Sequence, residues 1–251
     1  MSVLPGADPF AANGSPTGVL VLHGFTGSPV SMRPWAEHLA AAGMTVRLPL
    51  LPGHGTRWQD LNGTTWEDWY LAVERALDEL SGRCKEVFVC GLSMGATLAL
   101  RLAEVRPDDV SGVIVVNPSL NTEDRRAVLL PLFSRFLSSF PPIGNDIKKP
   151  GVDEGAYHRL PLRAAVSMPK LWAAVRADLA AIRAPILAFR SETDHVVPAS
   201  SMVLLTSGAT GTTVTERLLT GSYHVATLDH DAPAIFEQSV EFIRAHCEVE
   251  A

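Results

Sequence analysis

The sequence predicts an α/β fold: a mostly parallel central sheet flanked by helices, with a helical segment inserted between two of its strands. Three observations lead there. Short apolar runs bounded by turn residues alternate with segments that repeat apolar residues at helical spacing. Such alternation is what a parallel sheet covered by helices on both faces requires. The alternation lapses over residues 120–180, which hold several helical pieces, such as AVLLPLFSRFLSSFPPIG, and no good strand. A detour of this size between two sheet strands reads as an inserted cap, not a loop. The expected division is a core over 1–119 and 181–251 and a cap over 120–180. The 251 residues, 47% hydrophobic and 19% charged, are enough for one large core.

The elements follow in order. Val19 to His23 (VLVLH) reads as a buried strand after Gly18. Residues 30–42 carry apolar residues at helical spacing until Gly43 stops them. Met44 to Leu48 is the next strand. Residues 66–80 form an amphipathic helix capped by Thr64 or Thr65. Glu86 to Cys90 is a strand and Ala96 to Glu104 a helix; residues 112–117 (GVIVVN) are a strand again. Ile186 to Arg190 precedes a helix that starts after Pro198. Val214 to Leu219 is the last strand, and residues 232–246 the closing helix.

Composition narrows the function classes. The net charge is −6, and no Lys/Arg cluster interleaves with aromatics, so nucleic acid is not an expected partner. Cys84, Cys90 and Cys247 are odd in number and show no C-x-x-C spacing, which fits a reducing cytosol. The N-terminal MSVLPGADPFAANGSPTG lacks a basic n-region and an apolar h-region, and no apolar run approaches the ~18–20 residues of a membrane span. A cytoplasmic protein is expected. No His/Cys/Glu cluster has metal-ligand spacing and no glycine loop precedes a lysine to cradle phosphate, so neither metal nor cofactor is expected.

The informative motif is Gly91-Leu92-Ser93-Met94-Gly95, set where a strand turns into a helix. A sharp turn there strains the residue at the bend, and glycines two positions either side remove side chains that would collide. The bent residue projects above the sheet beside a helix N-terminus, where free N–H groups favour negative charge. Ser93 is then placed to attack a carbonyl, and the Met94 N–H to stabilise the oxyanion. A serine needs a base, and the base an orienting acid, arriving in the chain order Ser, Asp/Glu, His at the ends of later strands. Asp194 and His224 satisfy that order. His195, His230, Asp178 and Asp229 are competitors; each reads as a solvated surface group. The second oxyanion donor is expected from HGFTGSP (23–29), where Gly24 and Gly27 turn the backbone and leave the Phe25 N–H free. His23 is expected to brace this loop, and LPGHG (51–55) to pack beside it.

Together HGFTGSP, PGHG, GLSMG, DHVVP and SYHVATLDHD, with the cap segment IGNDIKKPGVDEGAY (143–157), resemble the bacterial monoacylglycerol lipases and similar small carboxylesterases of the α/β-hydrolase superfamily. The resemblance runs from about Gly18 to Ile243. It implies the α/β-hydrolase fold, Ser93 as nucleophile, His224 as base, Asp194 as its orienter, and Phe25 and Met94 as oxyanion donors. It also implies that Ile143 lines the substrate pocket and that Glu154 helps hold the polar glycerol end. The expected activity is hydrolysis of a monoacylglycerol to fatty acid and glycerol. A broad carboxylesterase is the alternative, and outside enzymes a ligand receptor on the same fold. Leu129, Leu130, Leu132, Phe133, Phe136 and Leu137 suit an acyl tunnel, pack the cap onto the sheet, or meet a membrane or micelle. The sequence does not choose among these, and it leaves the oligomeric state open.

Overall fold

The computed structural model of the chain describes residues 2–247. It opens with β1 (Phe10–Ala12) and β2 (Thr17–Leu22), then α1 (Arg33–Ala41), β3 (Thr45–Leu48), α2 (Trp58–Leu61) and α3 (Trp66–Ser81). Next come β4 (Glu86–Leu92), α4 (Met94–Val105) and β5 (Gly112–Val116). The inserted region holds α5 (Leu130–Phe133), β6 (Ser139–Phe140), β7 (Leu160–Pro161), α6 (Leu162–Ala165) and α7 (Met168–Asp178). The chain returns through β8 (Ile186–Ser191), α8 (Ser200–Gly208), β9 (Val214–Leu219) and α9 (Ala232–His246).

Among the described residues, seven strands make one sheet in the order β1-β3-β2-β4-β5-β8-β9. All neighbours are parallel except β1, which runs antiparallel to β3 with Phe10 opposite Leu48. This is the α/β-hydrolase architecture that the sequence led us to expect. Successive strand residues face opposite sides, and both sides are dry. Leu20, Leu22, Val89 and Val115 pack under α3, α4, α7 and α8. Val19, Val21, Phe88 and Phe189 pack under α1 and α9. Hence the strands are continuously apolar rather than alternating. β9 is the exception: as an edge strand its middle residues, Glu216, Arg217 and Leu218, are exposed.

Three differences from the sequence reading have physical causes, and one alternative that it left open is resolved. β1 is three residues long and partly exposed, so it leaves no apolar pattern. Thr65, not Thr64, caps α3, its N–H donating to Asp68 Oδ2 at 2.8 Å in a capping box. Thr64 Oγ1 instead accepts from Trp69 Nε1 at 3.0 Å. The inserted region does contain strands, the two-residue antiparallel pair β6–β7, too short to show a period. Its last helix, α7, also joins the sheet-covering layer through Met168, Leu171 and Val175.

α4 is buried along nearly its whole length and carries Glu104 into that layer with its side chain out of water. Glu104 Oε2 accepts from Arg101 at 3.0 Å, and Arg101 also reaches Asp178 at 2.6 Å, while Oε1 has no partner among the described residues. Burial lifts this carboxyl to about 8 against the pull of Arg101. A carboxyl raised on folding binds its proton in the native state but not in the unfolded one, so it costs stability progressively as pH rises from its ordinary value towards 8. Glu104→Gln should therefore gain stability relative to the parent between pH 5 and pH 8, read from urea midpoints at the two pH values.

Candidate active site

The parallel order reverses direction beside β2: β3 lies to one side and β4 to the other. Open α/β sheets bind ligands at the carboxyl ends of strands around such a switch point. Ser93 stands there, between β4 and α4, with φ 55° and ψ −116°. That conformation is costly for a residue with a Cβ, and its surroundings enforce it. A Cβ on Gly91 would sit 2.4 Å from the Gly95 carbonyl group, and one on Gly95 would sit 2.2 Å from the Leu22 oxygen. Both glycines are therefore required for α4 to lie against β2 and β4. The Ser93 N–H donates to the Val116 carbonyl at 3.0 Å, which ties the bend to β5. Met94 is the first helical residue, so its N–H has no acceptor within α4.

Asp194 and His224 arrive from the ends of β8 and β9. Asp194 Oδ2 lies 2.7 Å from His224 Nδ1, and their side chains are only 8% and 7% exposed. Burial opposes ionisation of Asp194. The hydrogen bond and charge of His224, with the N–H groups of Val197 and Val196, outweigh it and hold the carboxyl below its ordinary value. The ionised acid makes Nδ1 the donor, which leaves Nε2 as the basic nitrogen. Asp194 Oδ1 accepts from Val196 and Val197, each at 2.8 Å, fixing the carboxylate plane.

The sequence reading missed Asn117. It follows β5, is buried, and has φ 46°. Its Nδ2 donates to the His224 carbonyl at 2.8 Å and lies 3.0 Å from Ser191 Oγ; its Oδ1 accepts from the Ser191 N–H at 2.8 Å. One amide thus joins the strand beside Ser93, the strand leading to Asp194 and the loop of His224. The signal available was an asparagine at the carboxyl end of a central strand.

The loop after β2 behaves largely as expected. His23 is fully buried, its Nδ1 3.0 Å from the Gly24 carbonyl and its Nε2 accepting from the Leu51 N–H at 3.2 Å. Burial lowers it to about 4, so it is a neutral brace. His54 of LPGHG packs edge-on against it, with ring centroids 4.9 Å apart. Thr26, not Gly24 or Gly27, takes the left-handed backbone, at φ 63°. Gly24 lies against the bend, where a Cβ would meet Ser93 Cβ at 3.5 Å, an ordinary contact. The Phe25 ring packs on Trp69 with centroids 5.5 Å apart. Its N–H donates to no acceptor among the described residues.

The other candidates separate. His230 and Asp178 are exposed, as expected. His195 is exposed too, and its Nδ1 lies 2.8 Å from Asp146 Oδ1. Asp229 corrects the sequence reading, for it is buried. It accepts from the N–H groups of Tyr223, His230, Lys148 and Lys149 at 2.6–3.0 Å. Burial opposes its ionisation, but these donors win and hold its carboxyl below the ordinary value. Glu154 is 6% exposed and accepts from the Asn145 N–H. Burial raises its carboxyl, with the Asn145 hydrogen bond and the charge of His224 opposing. Ile143 is half exposed, and Leu129, Leu132, Phe133, Phe136 and Leu137 all lie open, Phe136 by 80%. They do not pack onto the sheet.

A serine at a strained strand–helix bend, on this sheet topology, defines an α/β-hydrolase-type enzyme. The chain belongs to the family Hydrolase_4, described as serine aminopeptidase, S33, which it matches over residues 15–231. It is 45% identical to a thermostable monoacylglycerol lipase of Bacillus sp. strain H-257 across 97% of both chains. A carboxylesterase of Bacillus subtilis strain 168 is 24% identical over 94% of this chain and 95% of its own. Among solved structures, one from the metagenome-derived lipolytic enzymes LipS and LipT superposes with a TM-score of 0.95. It is 40% identical and covers 98% of this chain and 100% of its own.

The two glycines of the bend set a clear expectation. Gly95→Ala drives a methyl into the carbonyl groups of Leu22 and His23, which are backbone and not the yielding end of a side chain. We expect a loss of about 3 kcal/mol or more in urea unfolding, or no soluble protein.

Proposed function

We propose that the chain hydrolyses monoacylglycerols to fatty acid and glycerol through an acyl-enzyme formed on Ser93. The observation that carries this is the buried Asp194–His224 hydrogen bond at the sheet end that also presents the strained Ser93. The extent of likeness to a monoacylglycerol lipase supports the substrate. His224 Nε2 takes the Ser93 proton as Oγ bonds to the ester carbonyl carbon. The carbonyl π pair moves onto oxygen, which the N–H groups of Phe25 and Met94 receive; such donors are typically worth ~3–4 kcal/mol each in the transition state. The intermediate collapses, and the departing alcohol takes the proton from the imidazolium. Water then repeats the sequence on the acyl-enzyme, with His224 as base, and releases the fatty acid.

In this proposal residues 120–180 are the cap over the site, with 1–119 and 181–251 as the hydrolase core, and α7 serves both. Glu154, buried and within electrostatic reach of His224, holds the glycerol hydroxyls. Ile143 meets the substrate from the cap. The open apolar side chains Phe136, Val128 and Leu132 meet the lipid surface from which substrate is drawn. The three free cysteines, with no helix long and apolar enough to cross a membrane among the described residues, support a cytoplasmic enzyme.

Ser93→Ala should lower turnover of monoacylglycerols and of a short p-nitrophenyl ester by roughly 10⁴-fold or more, with an unfolding midpoint near the parent's. Full activity in that variant refutes the assignment. On a panel of equal acyl length, monoacylglycerols should give the highest kcat/KM and triacylglycerols the lowest, because a capped pocket admits one chain. Equal rates on monoacylglycerols and simple alkyl esters would favour the broad carboxylesterase reading.

A further inference from the structure

Asp146 belongs to the inserted segment, between β6 and β7; it lies within the stretch 143–157, but the sequence reading gave it no role of its own. It is nevertheless bonded to the loops of both Asp194 and His224. Its Oδ2 accepts from the His195 N–H at 3.1 Å and from the His224 N–H at 3.2 Å. Its Oδ1 faces His195 Nδ1 at 2.8 Å, and its own carbonyl accepts from the Val225 N–H at 3.0 Å. The side chain is 15% exposed. From the core side, Asn117 Nδ2 holds the His224 carbonyl at 2.8 Å. Of the two peptide groups of His224, the preceding one is therefore held through its N–H by Asp146, and the following one through its carbonyl by Asn117 and through the Val225 N–H by Asp146.

We propose that Asp146 is a positioning residue for the hydrolytic reaction. One carboxylate oxygen, by receiving the backbone N–H groups of His195 and His224, sets the separation of the two loops at which Asp194 and His224 bond. This rests on the triad reading of Ser93, Asp194 and His224 given above. Asp229 completes the arrangement from the His224 loop, accepting from Lys148 and Lys149 just beyond Asp146 as well as from Tyr223 and His230. Cap and catalytic loops are thus one hydrogen-bonded unit. Displacing residues 145–149 displaces the imidazole.

The property that matters is an acceptor at the Oδ2 position. Asn keeps an acceptor there, and its Nδ2 can donate to His195 Nδ1. Glu keeps the charge but moves both oxygens by a methylene, and Ala removes them. With a short p-nitrophenyl ester, Asp146→Asn should retain kcat within about threefold. Asp146→Glu and Asp146→Ala should lose about ten- to a hundredfold in kcat, the scale of small misplacements in a catalytic geometry, with KM within about threefold. Labelling of Ser93 by a fluorophosphonate should slow in the same order. The low-field proton resonance of the His224–Asp194 hydrogen bond should persist in Asp146→Asn and fade in the other two. The inference is overturned if Asp146→Glu keeps parental kcat, if Asp146→Asn falls as far as Asp146→Glu, or if activity falls while the resonance stays unchanged. If Asp146→Ala does not fold, Asp146→Asn against Asp146→Glu decides alone. Ser93→Ala assayed alongside separates the two ideas: its activity sinks the triad reading, whereas an inert Ser93→Ala beside a fully active Asp146→Glu sinks only the role of Asp146.

Discussion

The rest of the molecule depends on the contact between α4 and the backbone of β2. The helix can approach that closely because Gly95 has no side chain where the Leu22 oxygen lies, and the strand can turn because Gly91 has none where Gly95 lies. The left-handed backbone of Ser93 follows from that packing rather than from any preference of serine. A bend held by a buried sheet on one side and a buried helix on the other cannot relax by local motion. The hydroxyl consequently has a fixed origin.

Beyond the ends of β8 and β9, backbone donors gather on a few side-chain acceptors. Asp194 receives Val196 and Val197, Asp146 receives His195 and His224, and Asp229 receives four N–H groups. Irregular loops leave backbone donors without ladder partners, and a buried donor left unpaired costs about 1–3 kcal/mol. A carboxylate accepts several at once, so one residue can both satisfy a loop and define its shape. The same economy explains the burial of Asp229, which a reading of its sequence neighbourhood takes for a surface group.

What the sequence made legible follows from how local its causes are. β2, β4, β5 and β8 are dry on both faces and so are apolar runs; β9 and α9 keep the bounds expected of them. The strained bend at Ser93 and the approach of Asp194 to His224 were legible because glycine spacing, strand ends and chain order constrain them. β1 was not, since three partly exposed residues owe their conformation to β3 rather than to their own pattern. Asn117, Asp146 and Asp229 were not, because their partners lie up to 107 residues away in the chain. The apolar residues of α5 looked the same whether turned inward or outward, and only packing distinguishes the two.

The sheet closes off its two margins differently. β3 is covered by β1, and Arg47 clasps the pair through the Ala12 carbonyl at 3.1 Å and Asn13 Oδ1 at 2.9 Å. β9 has no such cover among the described residues, but Glu216 and Arg217 stand on its open stretch, and Arg190 of the neighbouring strand pairs with Glu216 at 2.8 Å. A foreign strand seeking the unused amides of β9 meets fixed charges whose water it must strip away. Leu218 is the one exposed large apolar side chain on that strand, whereas Phe136 and Leu132 stand in the segment between β5 and β8, so most of the enzyme's exposed adhesive surface lies off the β9 edge.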